Sequence, residues 1–199
     1  MLQQRTAISI GEAIKSVMTD RKEQPTETIE LNECANRFLA EDLIANEHVP
    51  AFDRALYDGY AICAEDTTKA TKTNPIVFEV IGEIGAGSIF SSAINGFQAV
   101  RIMTGAEMPA SCNAMIMFED VEQFTEDNVQ KIRITQVVST GDRVFPKGTE
   151  IRQGACIASK GSQITPGVIG LLATFGFHQV TVRKKPIVGI LATGSELLE

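Results

Sequence analysis

Ala99-Val100-Arg101-Ile102-Met103-Thr104-Gly105 reads as a short strand that stops in a Thr-Gly turn. β-branched and long apolar side chains favour a pleated surface, and glycine supplies the conformation a tight turn needs. Working outward, the same texture recurs in Ile76-Val77-Phe78-Glu79-Val80-Ile81, Ala114-Met115-Ile116-Met117-Phe118 and Gln130-Lys131-Ile132-Arg133-Ile134. Turn residues punctuate these runs at Asp58-Gly59, Gly82 to Ser88, Asn95-Gly96 and Glu126-Asp127-Asn128, each offering a positive φ or an Asx turn. Residues 46–145 are therefore expected to form a β-rich module. Asn95-Gly96 in particular is the dipeptide of a tight two-residue turn.

The flanks read differently. Ser9 and Glu12 form an S-x-x-E capping box ahead of Ile10, Ala13, Ile14, Val17 and Met18 on one helical stripe, which predicts an amphipathic helix. Glu27-Thr28-Ile29-Glu30-Leu31 alternates like a strand, Asn32 is placed to cap a short helix through Cys34 and Ala35, and Asn36 to end it. Thr165-Pro166, the apolar stripe Val168, Ile169, Leu171, Leu172 and Phe175, and then Gly176 spell a complete helix from N-cap to C-terminal glycine. A strand follows in Val180-Thr181-Val182, and after Lys184-Lys185-Pro186 comes the unbroken apolar run Ile187 to Gly194. Such a run belongs to a parallel sheet covered on both faces, and it needs a crossover partner further along the chain. The chain stops at Glu199 with that unit just opened, so the sequence is expected to be the front of a longer protein.

Composition narrows the function. With 199 residues, 44% hydrophobic and 22% charged, the chain is that of a folded protein of one or two domains. Lys plus Arg number 18 against 25 Asp plus Glu, a net charge of −7; a phosphate-backbone binder carries the opposite excess, so no nucleic-acid partner is expected. No apolar run approaches the roughly 20 residues that span a bilayer, and the N-terminus lacks a signal's apolar core, so no membrane is expected and the location is read as cytoplasmic. Cys34, Cys63, Cys112 and Cys156 form no C-x-x-C pair and are expected to be buried reduced thiols. His48 and His178 stand far apart, which leaves the chemistry to carboxylates, hydroxyls and backbone.

Two segments concentrate such groups. Pro50 to Ile62 crowds Asp53, Arg54, Tyr57, Asp58 and Tyr60 beside apolar anchors, the composition of a ligand-groove rim. Arg101 to Pro109 ends its strand in a Thr-Gly turn whose N–H groups and hydroxyl suit an oxyanion. Thr193-Gly194-Ser195-Glu196-Leu197 repeats the idea at a strand's C-terminal end, where open α/β sheets bind ligands. Gly82-Glu83-Ile84-Gly85-Ala86-Gly87-Ser88 has its glycines in the wrong order for a dinucleotide loop and lacks the lysine of a P-loop. On chemistry alone each candidate also has a structural reading: Asp58 as the first residue of a turn, Thr104 as a strand cap, Glu196 as an acid at a helix N-terminus.

Taken in order, these segments resemble the molybdopterin molybdenumtransferase family, the bacterial MoeA proteins and the C-terminal domain of gephyrin. Phe52-Asp53-Arg54 with Asp58-Gly59-Tyr60-Ala61 resembles the family's F-D-x-S-x-x-D-G-Y-A. Val100-Arg101-Ile102-Met103-Thr104-Gly105-Ala106, Pro109 and Glu119-Asp120 resemble R-I-M-T-G-A-x-x-P…E-D, and Thr193 to Leu197 resembles T-G-[DS]-E-L. Two departures stand out. Ala55-Leu56-Tyr57 replaces Ser-Ala-Met, removing a hydroxyl and adding bulk, and Gly148-Thr149-Glu150-Ile151 replaces G-E-D-I.

The resemblance implies a mixed α/β fold. Residues 1–45 and 146–185 would form an elongated discontinuous α/β domain, 46–145 an inserted β-rich domain, and 186–199 the first strand of a truncated, molybdopterin-binding-like third domain. It implies insertion of molybdenum from molybdate into adenylated molybdopterin with release of AMP, helped by magnesium. Asp58 and Glu196 would hold the metal or orient molybdate, Thr104 with the Gly105 amide would bind an oxyanion, and Gly59, Glu150 and Ser195 would line the substrate site. It further implies a homodimer in the complete protein, with molybdopterin adenylyltransferase and molybdoenzymes as further partners, and a fragment inactive by itself because the opposing wall of the site is missing. A non-catalytic scaffold of the gephyrin type and a tungsten-specific insertase remain as alternatives.

Overall fold

The computed structural model describes residues 7–19 and 22–190. The fold is mixed α/β, mostly sheet with two helices. The chain divides into two compact units, one made of the residues up to Leu43 together with those from Cys156 onward, the other of Ile44–Ala155.

In the first unit, α1 (Ile10–Thr19) opens with the expected capping box: Ser9 N–H donates to Glu12 at 2.8 Å and Glu12 N–H donates to Ser9 Oγ at 3.2 Å. Its apolar residues Ile10, Ile14, Val17 and Met18 are exposed. β1 (Thr26–Glu30) pairs antiparallel with β12 (Gln179–Arg183), Thr28 opposite Thr181. Asn32 does not cap the turn after β1. Glu30 stands at the N-cap of a 3₁₀ turn over Leu31–Glu33 with no side-chain cap, since Leu31 N–H is already taken by His178 O. Asn36 ends the segment in the left-handed region, φ 62°. α2 (Pro166–Thr174) has Thr165 as N-cap, accepting from Val168 N–H, Pro166 in its first turn and Gly176 at φ 71° beyond it. Leu39, Ile164, Leu172, Val180 and Val182 close the core beneath. Two short strands, β2 (Leu43–Ile44) and β11 (Cys156–Ala158), lie where the chain passes from one unit to the other in sequence.

The apolar run after Pro186 is expected as a strand. Residues 184–190 carry no regular structure, with Ile187, Val188 and Ile190 exposed. Residues 191–194 lie outside the described residues.

The second unit is built on a six-stranded sheet ordered β7-β4-β6-β5-β9-β8, with β4 (Gly59–Ile62), β5 (Ile76–Ile84), β6 (Gln98–Ile102), β7 (Ala114–Met117), β8 (Glu122–Glu126) and β9 (Val129–Ile134). A separate ribbon pairs β3 (Arg54–Ala55) with β10 (Val144–Phe145). The central strands are apolar on both faces because both are covered. Tyr60, Ile62, Phe78 and Ile116 pack on one side, Ala61, Val100, Ile102 and Met115 on the other. Burying a side chain the size of Phe78 contributes roughly 1.5–3 kcal/mol.

Two expectations in this unit need correction. β5 continues through Gly82 to Ile84, since a bulge between Val80 and Gly82 keeps it paired to β6, with Glu83 opposite Arg101, and the turn expected over Gly82 to Ser88 is confined to Gly85–Ser88, where Ser88 N–H donates to Gly85 O. Because β5 and β6 run parallel, Asn95-Gly96 cannot close a hairpin. The turn lies one residue later, Gln98 N–H donating to Asn95 O, with Phe97 at φ 58° held by its N–H to the Asp66 carboxylate. β8, whose burial pattern is mostly exposed, joins β9 through Asp127 and Asn128, both at positive φ, the geometry of a tight hairpin turn. The ion pairs Arg133–Glu122 and Lys131–Glu126 hold the strands together. Of the four thiols, Cys34 and Cys112 are buried, Cys63 is half-buried and Cys156 exposed; Cys156 opens a three-residue strand too short to cover it.

Candidate functional site

Asp58 sits on an exposed loop immediately before β4, and the fold fixes its position through its neighbour. Gly59 is buried, and a Cβ there would lie 2.1 Å from Ile116 O, so only glycine lets β4 close against β7 at that register. Asp58 Oδ1 then accepts both the N–H of Thr104 at 2.8 Å and its hydroxyl at 2.7 Å. Gly105 follows at φ +81°, the left-handed conformation in which a Cβ is strained. Its N–H donates to Ala55 O at 2.9 Å.

These bonds set the electrostatics. The Thr104 N–H, then its hydroxyl, and more weakly the charge of Arg101 hold the Asp58 carboxyl below its ordinary value, so it stays ionised. The donors expected from sequence to suit an oxyanion are thus engaged inside the turn: the Thr104 hydroxyl with Asp58 and the Gly105 amide with Ala55. Asp58 Oδ2 is the oxygen that the turn leaves without a partner among the described residues.

Asp58, Thr104, Gly105 and Gly59 are brought together. Glu150 is held elsewhere, by Arg54, whose Nη2 donates to Glu150 Oε1 at 3.0 Å while the guanidinium lies 4.8 Å over the Phe145 ring. Ser195 and Glu196 lie outside the described residues. In the departing triplet, Ala55 is 2% exposed with both backbone groups bonded into the ladder, and Tyr57 is exposed.

Sequence reasoning missed Arg101. Its guanidinium lies 5.0 Å over the Phe118 ring and 3.5 Å from Glu83, its Nε is buried without a hydrogen bond, and its charge reaches Asp58. The signal was its place three residues before Thr104, on the face of β6 that it shares with Tyr60 across the ladder.

From the Asp58 turn the two segments run on side by side. Ala55 N–H donates to Ala106 O and Met108 N–H to Asp53 O, so that the backbones of Arg54 and Glu107 stand opposite each other as an antiparallel pair. At the far end of this ladder opens a cavity of about 380 Å³ lined by Phe52, Asp53, Phe90, Glu107, Met108 and Lys147, among others. Asp53 Oδ1 accepts the Lys147 N–H at 2.7 Å. Half-buried Glu107 has no side-chain hydrogen bond or ion pair among the described residues. The groove-rim composition of Pro50 to Ile62, which includes Asp53, points here, whereas nothing in the sequence marks Glu107 or Lys147 for this cavity. No group of three or more His, Cys, Asp or Glu side chains among the described residues is arranged to hold a metal ion, and no described helix is long and apolar enough to cross a membrane.

Known proteins share this sequence and fold. The family model of the MoeA N-terminal region (domain I and II) matches residues 8–176. The chain is 46% identical over 198 residues to a molybdopterin molybdenumtransferase of Bacillus subtilis, covering 100% of this chain and 46% of the relative. It is 41% identical over 198 residues to one of Staphylococcus epidermidis, again covering 46% of it. Two crystal structures of the molybdopterin biosynthesis MoeA protein of Pyrococcus horikoshii superpose with TM-scores of 0.84 and 0.83 at 38% and 32% identity. They cover 95% and 91% of this chain and 49% and 45% of theirs. The chain spans just under half the length of the curated relatives it matches. The chain therefore belongs to the MoeA family, which it matches over that family's N-terminal region.

Proposed function

We propose that this chain serves molybdenum cofactor biosynthesis as the N-terminal part of a molybdopterin molybdenumtransferase, in which molybdate and adenylated molybdopterin are the substrates and AMP is released. The observation that carries the reading is the Asp58–Thr104 pair, standing where the family resemblance puts the signature aspartate and the Thr-Gly turn, inside a chain 46% identical to a protein of that name.

What the residues do follows from their bonds. Two donors on Oδ1 fix the Asp58 carboxylate in one orientation and keep it charged, so Oδ2 is presented to the reaction without a reorganisation step. Magnesium suits such a group, since it takes one or two carboxylates and completes its shell with water and substrate phosphate oxygens. Asp58 would supply one ligand and Glu196 the second, and the ion would offset the charge of a phosphoanhydride beside an anionic oxometal. Thr104 acts through Asp58, as a positioning residue. Gly59 and Gly105 set the backbone that brings the two together. The complete protein acts as a homodimer in the cytoplasm, with the opposing wall of the site outside this chain, so the chain alone is inactive.

The test is molybdate-dependent AMP release from adenylated molybdopterin. Release by the longer protein that contains this chain, and none by the 199-residue chain, is the expected result. Absence of release from the longer protein with both substrates and magnesium present would overturn the reading.

A further inference from the structure

Given the proposed function, we infer that the cavity at the Phe52 end of the ladder receives the pterin ring of the substrate, with Glu107 reading the ring's aminopyrimidinone edge. A pterin presents two adjacent donors, the ring N–H and the exocyclic amine, beside a carbonyl acceptor. A carboxylate meets that donor pair with two parallel hydrogen bonds. Glu107 is half-buried at the cavity wall, without a hydrogen bond or ion pair of its own among the described residues. Its carboxylate oxygens are open to solvent and can accept donors that a ligand supplies.

The rest of the lining fits the same ring. Phe52 and Phe90 bring aromatic rings into the lining, against which a flat heterocycle can pack, and Met108 and Pro109 add apolar wall. Asp53 adds a second negative charge, oriented by the Lys147 N–H, which favours the ring's donor edge over its acceptors. Lys147, exposed at the rim, is a donor for the ring carbonyl. At about 380 Å³ the cavity lies within the range of small-molecule sites, about 300–1,000 Å³.

Position along the ladder supports the assignment. Asp53 and Asp58 stand five residues apart, at most about 17 Å along an extended chain. A molecule with a heterocycle at one end and phosphate and metal chemistry at the other is bound by such a strip at both ends. Adenine is the competing occupant because it belongs to the same substrate, but its amine is flanked by a ring nitrogen acceptor. That edge places one donor and one acceptor against Glu107 and leaves a carboxylate oxygen facing a lone pair.

The experiment is a titration of 6-hydroxymethylpterin with the 199-residue chain, read by quenching of pterin fluorescence; the chain has no tryptophan to interfere. Adenosine is titrated as a competitor, and the wild type is compared with Glu107→Gln and Phe52→Ala, each checked for an unchanged unfolding midpoint. We expect saturable quenching, at least tenfold weaker affinity in both variants, and an affinity for adenosine, read from its displacement of the pterin, at least tenfold weaker than that for the pterin. No saturable quenching, undiminished affinity in Glu107→Gln, or tighter binding of adenosine would overturn the assignment. The readout uses no molybdate and no turnover. Pterin binding of this pattern therefore supports the subsite even if the longer protein releases no AMP, and AMP release without pterin binding overturns the subsite alone.

Discussion

Thr104 gives both its N–H and its hydroxyl to the same oxygen of Asp58, at 2.8 and 2.7 Å. A residue that looks like an oxyanion binder in sequence is, in the fold, the clamp of a carboxylate. The consequence is a charged group held in one orientation with its second oxygen turned away from the clamp, the arrangement a preorganised site requires.

Thr104→Val tests the clamp. It removes the hydroxyl and keeps the N–H, so the fold is retained while one of the two bonds that favour the ionised carboxyl is lost. Asp58 should titrate at higher pH than in the wild type, as followed by carboxyl NMR. The sign also fixes the stability effect. A carboxyl whose folded value is lowered contributes stability above its unfolded value and loses it as pH falls through the folded one; the variant should lose that contribution at a higher pH.

Gly59→Ala tests the backbone that carries Asp58. A methyl group 2.1 Å from Ile116 O cannot be relieved by a side-chain rotation, because the obstacle is backbone. The β4–β7 pairing must open, with a loss of about 1–3 kcal/mol or more in denaturant unfolding. An unchanged midpoint would show that the two strands do not pair in this register.

A third prediction concerns acid stability away from the site. Glu65 accepts the Cys63 thiol at 3.0 Å, and the Asn113 amide nitrogen donates to both its oxygens at 2.9 and 3.1 Å, which lowers its carboxyl to about 2. Asn113 Oδ1 in turn accepts Ala64 N–H at 2.8 Å. The network's contribution is complete above the ordinary carboxylate range and is lost as pH falls toward 2. Glu65→Gln should therefore lower the unfolding midpoint at pH 7 and flatten the dependence of stability on pH between about 5 and 2; an unaltered acid limb would count against the network.

Much of this was legible from residues. The capping box at Ser9 and Glu12, the left-handed Asn36 and the Thr165-Pro166…Gly176 helix are local signals, each set by one or two bonds within a few positions, and the structure has them. What failed depended on partners distant in sequence. Gly82 looks like a turn until β6 lies beside it, and Asn95-Gly96 looks like a hairpin until β5 and β6 prove parallel. The site divides the same way. Asp58, Thr104 and Gly105 could be picked out by type, whereas the engagement of their donors with one another, the approach of Arg101, and the cavity shared by Phe52 and Glu107 appear only when residues some 50 positions apart are paired in space.

The most direct test of the account is the rate of molybdate-dependent AMP release from the longer protein carrying Asp58→Asn. Asparagine keeps the oxygen that accepts from Thr104 and removes the charge. The account predicts a folded protein with a loss of about 10²-fold or more, the scale of losing one electrostatic group at a reacting centre. A variant that releases AMP at the wild-type rate would contradict the assignment of Asp58 to the site.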